Sequence, residues 1–272
     1  MSDATVRPFV VIPCLDEERA IGEVLAGVLA QCRDVIVIDD GSTDRTAEIV
    51  ERLPVTLLRH PERRGKGEAL RTGFREALRR GASGILTMDG DGQHDPGDIR
   101  RLLEAALAWP HAVVIGARML GREQQPTARR RANNFASWGI SWGCGKPVID
   151  AQSGQRWYPR AAVELADTPT QDFVFETALL IAAARDLDMQ IVSVPIATRY
   201  HAGARTSHFR PVRDVTWITL YTIGRVAHYG RMVQSYRASH ATPPIVHDPD
   251  NRLGARVPLP PRHAASAPRA EG

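Results

Sequence analysis

The first 118 residues switch repeatedly between two periodicities, and this alternation restricts the fold more than any other feature of the chain. Phe9-Val10-Val11-Ile12-Pro13, Val35 to Ile38, Val55 to Leu58, Gly84 to Met88 and Ala112 to Gly116 read as strands. Between them, Ile21, Val24, Leu25, Val28 and Leu29 recur at helical spacing, as do Ala69, Leu70, Phe74, Ala77 and Leu78, and Ile99, Leu102, Leu103, Ala106 and Leu107. Thr43 to Leu53 forms a shorter helical piece. Strands that are apolar throughout and linked through helices predict an α/β fold, a mostly parallel sheet with helices on both faces. Such sheets bind ligands at the carboxyl ends of their strands, where Asp16-Glu17, Asp39-Asp40, Asp89-Asp91 and Arg118 fall.

Beyond residue 120 the alternation stops. An arginine-rich loop precedes a helix near Asn133 to Gly143, an extended piece at Asp150 to Tyr158, a helix near Phe173 to Arg185 and a late strand at Ile191 to Ile196. The segment Pro211 to Val233 predicts a C-terminal helix. From about Ser235 the chain is rich in proline, alanine, histidine and arginine without periodicity, which predicts a disordered tail over 236–272. With 272 residues and 43% hydrophobic content, one large core is expected. This places one domain over 1–235, with a first half at about 8–118 and a second half at 119–235.

Three cysteines without paired spacing argue against a disulfide framework and a zinc site. The N-terminus lacks the apolar core of a signal peptide, and a reducing, cytoplasmic setting is expected. The most apolar late segment, Val215 to Val233, carries Arg225, His228 and Arg231 and is too polar to span a bilayer. Net charge is only +4, yet Arg199 to Arg237 holds seven arginines against Asp214. That concentration suits an anionic partner. Trp217, Tyr221 and Tyr229 among the apolar residues make Pro211 to Val233 either a helix lying on an anionic membrane surface or one packed on the core.

Asp89-Gly90-Asp91-Gly92-Gln93-His94 follows the fourth strand. Carboxylates one residue apart there can clamp a divalent cation and, through it, a diphosphate; the same pair also occurs in solvated turns. Asp40-Gly41-Ser42 is either a helix cap or a polar site at a strand end. Gly65 and Gly67 suggest a phosphate cradle, but their spacing matches neither the Walker pattern nor the dinucleotide fingerprint. They serve equally as a flexible turn before a helix and are not counted as catalytic.

In order, Pro13-Cys14-Leu15-Asp16-Glu17-Glu18, Ile38-Asp39-Asp40-Gly41-Ser42-Thr43-Asp44, Arg64-Gly65-Lys66-Gly67 and Asp89-Gly90-Asp91-Gly92-Gln93-His94 resemble the family 2 glycosyltransferases of the Rossmann-like GT-A fold. The resemblance spans roughly residues 8–210 and is nearest the dolichyl- and polyprenyl-phosphate sugar transferases. It implies an inverting, metal-dependent hexosyltransferase with a nucleotide-sugar donor and a lipid-linked acceptor. By resemblance, Pro13, Leu15, Glu17, Ile38 and Asp40 hold the nucleoside. Asp89, Gly90, Asp91 and Gln93 take the donor diphosphate, with Asp89, Asp91 and Gln93 on Mg²⁺ or Mn²⁺, a choice that oxygen-rich ligands favour.

Arg118 resembles the family's phosphate-binding arginine, with Arg129, Arg130 and Arg131 extending its patch or forming a solvated face. Ser153, Arg156, Arg199 and Ser207 match acceptor-side or phosphate positions. Asp172 and Glu176 are candidate general bases beside Asp91 in the catalytic set, required only for a hydroxyl acceptor because a phosphate oxygen is already anionic. His208 stands where the polyprenyl-phosphate branch commonly has lysine, which keeps other lipids and pigment or polysaccharide precursors open as acceptors.

Two other classes fit less well. Sugar nucleotidyltransferases carry a basic glycine-rich loop after the first strand, where this chain has Pro13-Cys14-Leu15-Asp16-Glu17. A nucleic-acid binder suits the pI of about 9.2, but acidic strand ends repel a polyanion, so no nucleic-acid partner is expected.

Overall fold

A computed structural model describes residues 7–121, 127–167, 174–198, 211–230 and 232–254. In chain order these form β1 (Pro8–Cys14), α1 (Ile21–Leu29), β2 (Val35–Asp39), α2 (Thr46–Glu51), β3 (Thr56–Arg59), α3 (Lys66–Arg79), β4 (Gly84–Thr87), α4 (Asp98–Ala108) and β5 (Ala112–Leu120). The second half contributes α5 (Thr127–Cys144), β6 (Arg156–Pro159), α6 (Arg160–Val163), a 3₁₀ turn (Glu164–Asp167), α7 (Val174–Asp186), β7 (Gln190–Ala197), α8 (Pro211–His228), α9 (Met232–Ala241) and β8 (Ile245–Val246).

The strands form one eight-stranded sheet in the order β3-β2-β1-β4-β6-β5-β7-β8. All neighbours are parallel except β6, which runs antiparallel to β4 and β5. The alternation read from the sequence thus produces the expected mostly parallel α/β sheet. Because successive strand residues point to opposite faces, Phe9, Val11, Ile36 and Ile38 join Phe74, Phe175 and Leu180 in one core. Val10, Ile12, Val35 and Val37 join Ile21, Leu25, Ile99 and Leu102 in the other.

The reversed strand β6 matters for the site. Thr87, the last residue of β4, pairs with Arg156, the first of β6. The turn that leads into β6 therefore lies over the carboxyl ends of the parallel strands, beside the segment 89–94.

Two boundaries differ from expectation. The arginine-rich stretch is not all loop: α5 begins at Thr127 and takes in Arg129, Arg130 and Arg131. The tail predicted over 236–272 is structured as far as residue 254, because α9 runs to Ala241, β8 adds to the edge strand β7, and Asp248 joins a buried charge network. Residues 255–272 lie outside the described residues. The predicted C-terminal helix is two helices, α8 and α9, separated around Gly230, whose φ of +66° is left-handed. No helix among the described residues is long and apolar enough to cross a membrane.

Candidate active site

The loops after β1 and β2 are laced together by side chains. Backbone amides of Asp16, Glu17 and Glu18 donate to Ser42 Oγ (2.9 Å), Thr46 Oγ1 (2.7 Å) and Asp44 Oδ2 (3.1 Å). Asp16, itself at φ +55°, accepts from the amide of Thr43 at 2.8 Å. Much of the segment 42–46 is thus committed to holding the 15–18 loop in shape. Glu17 and Asp91 line a common cleft of about 1050 Å³ together with Asp16, Asp44 and His94.

Asp40 is nearly fully buried and accepts three hydrogen bonds. His60 Nδ1 lies 2.7 Å from Oδ1, the Arg64 amide donates to Oδ1 at 2.9 Å, and the Gly65 amide donates to Oδ2 at 2.7 Å. His60 Nε2 in turn meets Thr72 Oγ1 at 3.0 Å. A buried carboxylate with three donors fixes the backbone that supplies them. Here that backbone is the loop leading into Lys66, with Gly65 at φ +95° allowing the turn.

Lys66 opens α3, and its ammonium lies 2.7 Å from Asp89 Oδ1 and 3.0 Å from Glu176 Oε2. Burial alone would lower its pKa, but the charges of Asp89 and Glu176 outweigh burial and raise it, so the group stays protonated. Against the cost of burial, Lys66 also pulls the carboxyl of Asp89 below its ordinary value. Asp91 goes the other way, raised by burial and by the nearby charge of Asp89. Both Asp91 oxygens accept from Gln93, Oδ1 from its amide at 3.0 Å and Oδ2 from Nε2 at 2.7 Å.

His94 is buried with Nε2 3.8 Å from Asp89 Oδ2, and its Nδ1 has no hydrogen-bond partner. Burial depresses its pKa to about 4, so the ring is neutral at pH 7. Glu176 Oε1 is likewise buried and unpartnered. Arg118 donates from its amide, Nε and Nη2 to Asp150 at 3.0, 2.7 and 2.8 Å. These bonds overcome burial and lower the Asp150 carboxyl.

The structure brings together Asp89, Asp91, Gln93, Gly90, Glu176 and Arg118 of the expected set, with Glu17 across the cleft. It separates three others from it. Ile38 is fully buried beneath α3 and packs in the core, because its side chain falls on the inward face of β2. Ser153 and Arg156 are wholly buried rather than open to an acceptor. The Arg156 guanidinium donates to the carbonyls of Ser153 (2.6 Å), Ala151 (2.5 Å) and Glu176 (3.3 Å). It braces the turn into β6 against α7. Pro13 is buried and Leu15 half-buried at the end of β1. Asp172, Arg199 and Ser207 lie outside the described residues, as does His208.

Sequence reasoning quoted Lys66 only within a motif it gave no catalytic role, and it passed over His60. A lysine between two glycines was a visible cation, but its two acidic partners sit on other elements and only the fold reveals them.

The set of groups suits a divalent cation. An ammonium already stands against Asp89 as a monovalent stand-in, and the neighbouring Asp91 carboxyl is raised by burial and by the charge of Asp89. Among the described residues no three His, Cys, Asp or Glu side chains form a closed metal cluster. Open sites of one or two carboxylates, completed by substrate phosphates and water, are characteristic of Mg²⁺.

Comparison with known proteins adds the family. Residues 9–165 match the family model described as glycosyl transferase family 2. The polyprenol monophosphomannose synthase of Mycolicibacterium smegmatis is 30% identical, over 71% of this chain and 79% of that protein. The UDP-N-acetylglucosamine–dolichyl-phosphate N-acetylglucosaminyltransferase of Methanococcus voltae is 29% identical, over 71% and 85%. Among solved structures, glucosyl-3-phosphoglycerate synthase from Mycobacterium tuberculosis with Mn²⁺ and UDP-glucose superposes with a TM-score of 0.59 at 24% identity, over 83% of this chain and 79% of that one. At that identity the likeness concerns the fold, which is GT-A. The chain belongs to glycosyl transferase family 2 and is a glycosyltransferase.

Proposed function

We propose that this glycosyltransferase moves a sugar, with inversion at C1, from a nucleotide-sugar donor to a lipid-linked phosphate of the polyprenyl class. The observation that carries the reading is the acidic pair Asp89 and Asp91 at the end of β4, with Asp91 opening into a cleft shared with Glu17. The dolichyl-phosphate and the polyprenol monophosphomannose named for relatives at about 30% identity support the acceptor class.

Asp89 and Asp91 would hold Mg²⁺ or Mn²⁺, with Gln93 turned toward Asp91 as its support. When bound, the cation neutralises charge that builds on the departing diphosphate. The side chains do the rest. Glu17 faces the cleft as a carboxylate acceptor for nucleoside N–H or hydroxyl groups, a contact that discriminates because leaving such a group unpaired is costly. Arg118, oriented by Asp150, contributes positive charge beside Asp89 and His94. Neutral His94 and the buried turn at 153–156 pack against Asp89. An acceptor phosphate needs no base. With a hydroxyl acceptor, Glu176, which shares the Lys66 ammonium with Asp89, is the candidate base.

A lipid acceptor must be delivered from a membrane, and one face of the molecule suits that task. Phe135 and Trp138 of α5, Trp217, Leu220 and Ile223 of α8, and Met232, Val233 and Tyr236 of α9 are all exposed. Arg131 and Arg237 are exposed on the same helices. Apolar and aromatic residues mixed with arginine fit the interface of an anionic bilayer.

Nucleotide release from a panel of UDP- and GDP-sugars, measured with polyprenyl phosphate in anionic liposomes, tests this reading. Release is expected to require Mn²⁺ or Mg²⁺ and the lipid phosphate, and to be abolished by Asp91→Ala. Release that Asp91→Ala leaves intact would overturn it.

A further inference from the structure

We infer that Lys66 is a built-in counter-ion for the acidic pair, which keeps a free divalent cation out of the site until a nucleoside diphosphate arrives to draw the ammonium away. The inference rests on the metal role proposed for Asp89 and Asp91.

Three observations lead to it. The Lys66 ammonium contacts the very carboxylate that the cation needs, at 2.7 Å from Asp89 Oδ1. It is also held from behind, by Glu176 at 3.0 Å and by a loop that hangs on Asp40 through His60 Nδ1 and the amides of Arg64 and Gly65. The lysine is therefore placed by the fold. It also sits at the first position of α3, where the helix dipole disfavours a cation. Nearby anionic oxygens make that position tolerable, and those of a diphosphate can serve in place of Asp89 Oδ1.

A divalent ion approaching Asp89 alone meets a fixed positive charge at close range, and like charges at such distances in a partly buried site repel strongly. A metal–diphosphate complex differs, because its phosphate oxygens bring the negative charge that the ammonium would otherwise lose. Lys66 can then exchange Asp89 for diphosphate while keeping Glu176. Cation and nucleotide thus enter together, and the empty enzyme does not collect metal.

Mn²⁺ binding to the full-length protein, followed by the electron paramagnetic resonance signal of the free ion, reads this directly without any turnover. Lys66→Met and Lys66→Gln are expected to bind Mn²⁺ without nucleotide about tenfold or more tightly than wild type, since each removes the repelling charge. Gln retains amide donors to both carboxylates, which guards against a folding defect in the Met variant, and circular dichroism checks both. Lys66→Arg, which keeps the charge, is expected to stay at the wild-type affinity. Equal free-ion affinity for Lys66→Gln and wild type, with Mn²⁺ still taken up in the presence of UDP or GDP, would overturn the inference alone. Absence of any Mn²⁺ uptake with UDP or GDP, in wild type as in Asp91→Ala, would overturn the metal reading and the inference with it.

Discussion

Gly154 is pressed against the carboxylate of Asp89: a Cβ at that position would fall 2.2 Å from Oδ2 and 2.7 Å from the carboxylate carbon. The turn cannot easily retreat, because Thr87 Oγ1 donates to the Gly154 carbonyl at 2.8 Å and Arg156 grips the carbonyls of Ala151 and Ser153 just before it. Gly154→Ala should therefore shift Asp89 and leave the rest of the site intact. Misplacing a group that must meet the donor is expected to lower kcat/KM about tenfold or more, equivalent to roughly 1.4 kcal/mol of transition-state stabilisation. Steady-state kinetics on the best nucleotide sugar, beside a thermal melt, would show it; an unchanged kcat/KM would mean that Asp89 need not be held where it is.

Asp40 was expected to contact base or ribose, yet its carboxylate is occupied by His60 and two loop amides. Asp40→Asn turns one acceptor oxygen into a donor against these N–H groups. A buried donor left unsatisfied costs about 1–3 kcal/mol, so the melting temperature of the ligand-free protein should fall by several degrees. A melt equal to wild type would return Asp40 to a purely ligand-binding role.

The contrast between Asp40 and Lys66 shows what the sequence could reveal. Strand runs ending in Asp39 or Met88 located the acidic groups, because a continuous apolar run that gives way to aspartate marks the carboxyl end of a strand buried on both faces. Which partner each acid takes depends on elements far away in the chain. Lys66 reaches Asp89 and Glu176 only because α3 and α7 pack on the same face of the sheet. Arg156 misled for a related reason: an arginine reads as a surface or phosphate-binding residue, and nothing local foretells three carbonyls around its guanidinium. Ile38 was legible as a core residue from its alternation, and its inward face is what removes it from the nucleoside. The tail boundary failed because β8 is only two residues long and its stability comes from Asp248 rather than from periodicity.

Asp248 is the clasp of that C-terminal segment. It accepts from the amides of Arg252 (3.1 Å) and Leu253 (2.9 Å) and pairs with the buried Arg101 at 3.4 Å, which also donates to Asp98. Asp248→Ala leaves the Arg252 and Leu253 amides without their acceptor and takes from Arg101 one of three carboxylates, Asp98 and Asp250 remaining, a loss of about 1–3 kcal/mol. The local result is expected to be release of residues 242–254 from β7. Limited proteolysis should then cleave after Arg252 much faster than in wild type, while cleavage elsewhere is unaltered. Resistance equal to wild type would show that the segment is held by other contacts.

His94 gives the apo protein a defined pH dependence. Burial lowers its pKa from 6.5 to about 4 in the folded chain, whereas the unfolded chain keeps the ordinary value. Above pH 6.5 the ring is neutral in both states and contributes no pH dependence. As pH falls from 6.5 toward 4, the unfolded chain binds a proton that the folded chain refuses, so stability declines across that window and the decline ends once the folded ring also titrates. A gap of this size corresponds to roughly 3 kcal/mol by pH 4. His94→Leu removes the titrating group, so the difference in unfolding free energy between wild type and variant should vary with pH between 6.5 and 4 and be constant above it. Urea titrations in EDTA at half-unit steps would measure that difference. A difference that is flat across the window would mean that the ring is reached by water in the folded protein.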